Sequence, residues 1–141
     1  MATLRCNCGK TAIKLATTQP RSQTVCCCGD CFDRFDVLHK HFNGPKSHPP
    51  NLPALFDSYD NSLVVESGDV MFFKVTALDR PSPINMASTC CHTYMMGYFE
   101  PYHHNCVAVR FQLDIYCTTR PHRPQQHHHY NAPDYLAVAL S

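Results

Sequence analysis

The sequence predicts a mainly β fold with one short helix, and three observations carry that expectation. Eleven Pro, five Gly and no Trp in 141 residues describe a loop-rich globular chain rather than a helical bundle. Apolar residues alternate with polar ones over several short segments, which is the signature of half-buried strands. Phe32 to Phe42 is the best helix candidate, with apolar residues at about helical spacing. The length gives one domain as the default.

Along the chain, Leu4 to Ala16 reads as a strand entered through Cys6 and Cys8, with Thr11, Ile13 and Leu15 on one face. Thr17 to Thr24 reads as a loop, and Val25 to Cys28 as a short strand. Gly29-Asp30 is a turn dipeptide that would return Cys31 beside Cys28. The helix over 32–42 follows, with Phe32, Phe35, Leu38 and Phe42 recurring, and Gly44-Pro45 stops it. Four prolines in 45–53 make an extended connection. Strands are then expected at Ser62 to Glu66, Val70 to Leu78, Met86 to Thr93 and Cys106 to Cys117. Residues 118–141 form a Pro-, Gln- and His-rich tail that reads as poorly ordered, so the folded domain is expected over 1–117.

Ten cysteines are the chemical signature of the chain. They fall into tight groups: Cys6-Asn7-Cys8, Cys26-Cys27-Cys28-Gly29-Asp30-Cys31 and Cys90-Cys91. A disulfide is a poor use of two cysteines one residue apart, because the bridge needs a specific Cα separation and gains most from closing a long loop. Two thiolates on one zinc need only point the same way. The opening residues hold no apolar run of signal-peptide length, which predicts a reducing compartment, the cytoplasm or nucleus, where clustered thiols are ligands or catalytic groups. No segment approaches the length of a membrane span.

Zinc takes four ligands, and a structural site fills all four with protein groups, whereas a catalytic site leaves one open. Cys26, Cys28 and Cys31 supply three sulfurs from one local segment. Cys6 and Cys8 supply two more, which the late pair Cys90 and Cys91 can complete only through the fold. Cys27 lies between two residues that share a face and reads as packing, and Cys106 and Cys117, which flank a strand, read as small core residues. His127-His128-His129 reads as a solvated part of the tail. His39, His41, His92, His103 and His104 are candidate proton carriers, and nothing in the sequence singles one out, so no catalytic residue is named.

The motifs Leu4-Arg5-Cys6-Asn7-Cys8-Gly9, Val25-Cys26-Cys27-Cys28-Gly29-Asp30-Cys31 and Cys90-Cys91-His92-Thr93, in that order, resemble those of the glutathione-dependent formaldehyde-activating enzyme and centromere protein V family. The resemblance covers roughly residues 4–117. It implies an Mss4-like assembly of antiparallel sheets with two zincs. Cys6, Cys8 and Cys91 would hold a structural ion, and Cys26, Cys28 and Cys31 a second ion with an open position. The chain departs from the family's third motif, Cys-x-x-Cys-Gly-Thr, because Ser88 stands where the first cysteine would be; Cys90 becomes the candidate fourth ligand. The implied chemistry is carbon–sulfur bond making or breaking on adducts of glutathione with small aldehydes.

A formal charge of +1 with scattered basic residues gives no electrostatic case for nucleic acid. Four thiolates on one zinc and three on another would carry the balance to about −2 and weaken that case further. The alternative to an enzyme is a non-catalytic zinc module that engages protein or chromatin, although the basic extension that would mark it is not visible. Hydrophobic residues at 44% and ordered strands argue against a metal-storage protein.

Overall fold

A computed structural model describes residues 2–26, 29–45, 54–75, 83–99, 106–111 and 138–140, with the backbone alone at 29–32, 54, 110–111 and 138–140. It is mainly β, with two antiparallel sheets and one helix. The small sheet has the order β1 (Ala2–Arg5), β2 (Ala12–Leu15) and β5 (Leu63–Ser67). The large sheet runs β10 (Val138–Leu140), β6 (Val70–Phe73), β7 (Ile84–Ser88), β8 (Tyr94–Tyr98), β9 (Cys106–Phe111), β4 (Ala54–Asp60) and β3 (Ser22–Cys26). Helix α1 spans Gly29–Phe42.

The large sheet is covered on both faces, and the alternation of its strands decides which residue faces which cover. Met71, Phe73, Ala87, Tyr94 and Ala108 pack with Phe35, Val37 and Leu38 of α1. Val70, Met86, Met95, Met96, Val107 and Val109 pack with Cys6, Ile13 and Leu15 of the small sheet. Met95 and Met96 are neighbours in sequence yet join the same core. The register explains this: Met86 pairs with Met96 and Ala87 with Tyr94, so Met95 is the extra residue of a β-bulge.

Buried Arg34 of α1 lies over the rings of Phe56 and Tyr94, at 5.2 and 5.8 Å, and its Nη1 donates to the Tyr94 hydroxyl at 3.1 Å. Bare Gly97 makes room for this group, since a Cβ there would stand 2.6 Å from that hydroxyl.

The helix begins earlier than its apolar spacing predicts: Gly29 and Asp30 belong to its first turn instead of forming a separate turn. It ends at Asn43, whose φ of 54° leaves the helical region, and the Gly44 amide turns back to the Leu38 carbonyl at 2.9 Å. His39, Lys40 and His41 lie in the last turn, where positive charge suits the helix dipole.

Leu4 to Ala16, expected as one strand, is a hairpin of β1 and β2. The strand is interrupted at Cys6-Asn7-Cys8-Gly9, which is the turn between β1 and β2. Likewise β7 ends at Ser88, so Cys90 and Cys91 lie in a turn rather than a strand. Ser22 to Thr24, expected as loop, pairs with β4. The structure adds β4 and β8 to the expected strands. Val138–Leu140 pairs with β6, while residues 112–117 of the last expected strand and 118–137 of the tail lie outside the described residues. Among the described residues, no helix is long and apolar enough to cross a membrane.

The β5–β6 turn seats the two sheets on each other through Gly68, whose φ is 70°. A Cβ there would overlap the Thr11 hydroxyl and stand 2.8 Å from Thr11 Cα. Gly68→Ala should therefore destabilise the protein by about 1–3 kcal/mol. Urea unfolding monitored by circular dichroism measures this, and an unchanged midpoint would show that the turn does not carry the packing.

Candidate metal centre

Two turns, far apart in sequence, build the site. In the β1–β2 turn the Cys6 amide donates to Thr11 O at 3.0 Å and the Gly9 amide to Cys6 O at 2.9 Å. Gly9 closes this turn at φ 76°, a backbone state in which glycine meets no Cβ penalty. In the β7–β8 turn the amides of Ser88 and His92 donate to Thr93 O and Ser88 O, both at 3.0 Å, and His92 takes φ 52°. That left-handed residue lets the chain reverse directly after two adjacent cysteines. Asn7 N donates to Thr93 Oγ1 at 3.1 Å and joins the two turns. Asp69 O, from the β5–β6 turn, accepts from Thr89 N at 3.1 Å and Thr11 Oγ1 at 3.4 Å.

The turns bring Cys6, Cys8, Cys90 and Cys91 together, with all four sulfurs within 4.8 Å of one another. Cys8 and Cys90 are 3.3 Å apart, Cys6 and Cys8 3.5 Å, Cys6 and Cys90 3.6 Å, and Cys90 and Cys91 4.0 Å. A zinc with four bonds of about 2.3 Å in tetrahedral geometry needs sulfurs about 3.8 Å apart. These separations bracket that value. They also exceed the bond of about 2.05 Å that a disulfide requires, and all four cysteines are free. The donor set therefore fits one zinc ion, closed by four protein thiolates.

Once Cys91 is a thiolate, the hydroxyls beside it can only donate to it. Thr93 Oγ1 accepts from the Asn7 amide and lies 3.1 Å from Cys91 Sγ, so its proton is available to that sulfur. Ser88 Oγ accepts from the Thr93 amide at 3.1 Å and lies 3.4 Å from the same sulfur. Two hydroxyls thus donate to one thiolate. Burial opposes ionisation of Cys91, but the Ser88 and Thr93 hydroxyls and the Cys8 amide outweigh it and bring its pKa down to about 5. Cys6 is also lowered: burial resists, while the Thr11 amide, 3.3 Å from its sulfur, and the Cys8 and Cys90 thiols favour the thiolate. Cys8 moves the other way. The Lys10 amide lowers it, but the Cys90 sulfur, desolvation and the Cys6 and Cys91 sulfurs push it up to about 12. Without a metal, four crowded thiols cannot all ionise; a cation removes that conflict.

Of the seven sequence-predicted ligands the structure unites these four, including Cys90. Ser88 is a hydrogen-bonding residue beside the site, 3.4 Å from Cys91 Sγ. Cys26 ends β3, half-buried against the helix-side core, and Cys31 lies in the first turn of α1. Cys28 and Cys27 lie outside the described residues, as do Cys117, His103, His104 and the His127 to His129 run. Cys106 is buried in the core, as expected. Among the described histidines, His92 stacks on Phe42 with centroids 5.4 Å apart, and His39 Nδ1 meets Gly44 O at 3.0 Å. Thr11, Ser88 and Thr93 as partners of the sulfurs are new; Ser88 and Thr93, which the third motif singled out, carried a sign in the sequence, and Thr11 did not.

No family model, no curated protein and no solved structure matches this chain.

Because the Cys8 thiol is protonated at neutral pH and a ligand must be a thiolate, zinc has to displace that proton. Affinity should rise with pH between about 6 and 8, with at least one proton released per ion, and should fall more steeply below about 5, where Cys91 also protonates. Calorimetric titration in buffers of different ionisation enthalpy counts the protons. A pH-independent affinity would remove Cys8 from the ligand set.

Proposed function

We propose that this chain is a zinc protein in which Cys6, Cys8, Cys90 and Cys91 hold a structural ion, and a second ion on Cys26, Cys28 and Cys31 serves carbon–sulfur chemistry on glutathione–aldehyde adducts. The observation that carries the first half is the set of four sulfurs at tetrahedral spacing on two turns. The second half is supported by the resemblance of the three cysteine motifs, and by Cys26 and Cys31 flanking one strand-to-helix junction.

Three thiolates leave a fourth position for an incoming thiol, and zinc there would supply a lowered thiol pKa. In the synthetic direction the glutathione sulfur forms a bond to the carbonyl carbon of formaldehyde, and the carbonyl oxygen takes up one proton to give S-hydroxymethylglutathione. The reverse reaction breaks the same bond. This reading places the protein in the reducing cytoplasm or nucleus, where glutathione is abundant. A second reading, a non-catalytic zinc module that binds protein or chromatin, is favoured by the closure of the Cys6, Cys8, Cys90, Cys91 centre, since four protein thiolates leave no position for a substrate.

Metal analysis of reduced protein should find about two zincs per chain. Cys28→Ser should lose one and stay folded, whereas Cys8→Ser should lose the fold. Exchange NMR with glutathione and formaldehyde then decides between the readings: a rate no faster than the uncatalysed background rejects the enzyme and leaves the module.

A further inference from the structure

The four thiolates of the centre are not equivalent. Cys6 is buried at 4% exposure and receives the Thr11 amide, and Cys91 is partly covered and receives two hydroxyls. Cys8 and Cys90 are exposed, and their sulfurs, at 3.3 Å, are closer together than Cys6 and Cys8, Cys6 and Cys90, or Cys90 and Cys91. One edge of the cluster therefore faces solvent while the other is shielded.

Four thiolates allow six pairings. Cys6 with Cys8 and Cys90 with Cys91 would close rings of one or no intervening residue, which strains a disulfide. The pairings that remain all join the β1–β2 turn to the β7–β8 turn, and among them only Cys8 with Cys90 has both sulfurs exposed.

We propose that Cys8 and Cys90 are an oxidation site, at which a hydroperoxide forms a Cys8–Cys90 disulfide, expels the zinc and leaves the two sheets joined. The proposal rests on the zinc reading of this cluster. In the first step an exposed thiolate attacks the peroxide, the O–O bond breaks, and a sulfenic acid forms while the departing oxygen takes up a proton and leaves as water or alcohol. In the second step the other thiolate attacks that sulfur, the S–S bond forms, the S–O bond breaks, and a second proton completes a molecule of water. The two cysteines together lose two electrons and the peroxide gains them. Zinc keeps only Cys6 and Cys91, too few thiolates for the closed site, and passes to solvent.

The placement of the pair sets the consequence. Cys8 and Cys90 are 82 positions apart and stand on the same two turns that the zinc connects. Their disulfide replaces one cross-link by another, so the oxidised chain releases metal without losing the junction, and a reducing thiol with zinc restores the original state. Removing zinc by chelation from reduced protein leaves no metal or covalent link, only hydrogen bonds such as that from Asn7 N to Thr93 Oγ1.

The test uses zinc-loaded full-length protein treated with hydrogen peroxide, with released zinc read by a colorimetric chelator and disulfides by mass spectrometry of a non-reduced digest. Zinc release and the Cys8–Cys90 peptide should grow together, one ion per link. The far-ultraviolet circular dichroism and a cooperative thermal transition should hold in the oxidised protein, whereas reduced protein stripped by chelator should lose both. Dithiothreitol and zinc should reverse the zinc release and the disulfide. Zinc release with other cysteines linked, or with none, overturns the proposal, as does unfolding of the linked form. Protein that binds no zinc when reduced overturns the metal reading itself, and this proposal with it.

Discussion

The junction of two turns at four sulfurs is the constraint on which the small-sheet half of the molecule depends. Three strands of four or five residues bury few side chains, chiefly Ile13 and Leu15, and much of β1 and β5 is exposed. Each buried aliphatic side chain contributes about 1.5–3 kcal/mol, which is small beside the entropy of ordering the strands that carry it. A three-stranded sheet of this size needs a further fastening, as small cores generally do. The Cys6–Cys8 turn supplies it at one end of the hairpin, and the Gly68 turn packs against Thr11 beside it.

The β7–β8 turn serves both faces of the large sheet. Cys90 and Cys91 point into the cluster on the small-sheet side, while His92 stacks on Phe42 at the end of α1. Gly44 fits so closely under this turn that a Cβ would lie 2.7 Å from His92 O. The left-handed His92 is thus where the metal centre and the helix meet. Loss of the metal would loosen the seat of α1 as well as the small sheet, and α1 begins at the segment that holds Cys31.

Much of this arrangement was legible in the sequence, because chemistry constrains cysteines more tightly than geometry constrains apolar residues. The order of the cysteine groups pointed to a centre closed across the chain, and Cys6, Cys8, Cys90 and Cys91 do meet. Their local setting was harder to read. Extended and turn conformations can both bring Cys-x-Cys sulfurs to one side, and the choice here falls to Gly9 at φ 76°. Strand β4 escaped because it is central: Asp57 and Ser58 are buried beside Leu55 and Phe56, so no polar face shows in the pattern. Strand β8 escaped because the bulge at Met95 breaks the period of two that marks a strand.

Ser88 shapes the turn that carries two of the four sulfurs. A cysteine at this position would offer the metal a sulfur from the end of β7. The serine instead fixes the turn, accepting the Thr93 amide and facing Cys91 with its proton. The fourth sulfur then has to come from elsewhere in the turn, and Cys90 provides it because the chain reverses at His92 immediately after the pair. Cys90 stands at the exposed tip of the turn, beyond the shielded Ser88. The four-cysteine cluster thereby has an edge at which solvent meets two of its four sulfurs.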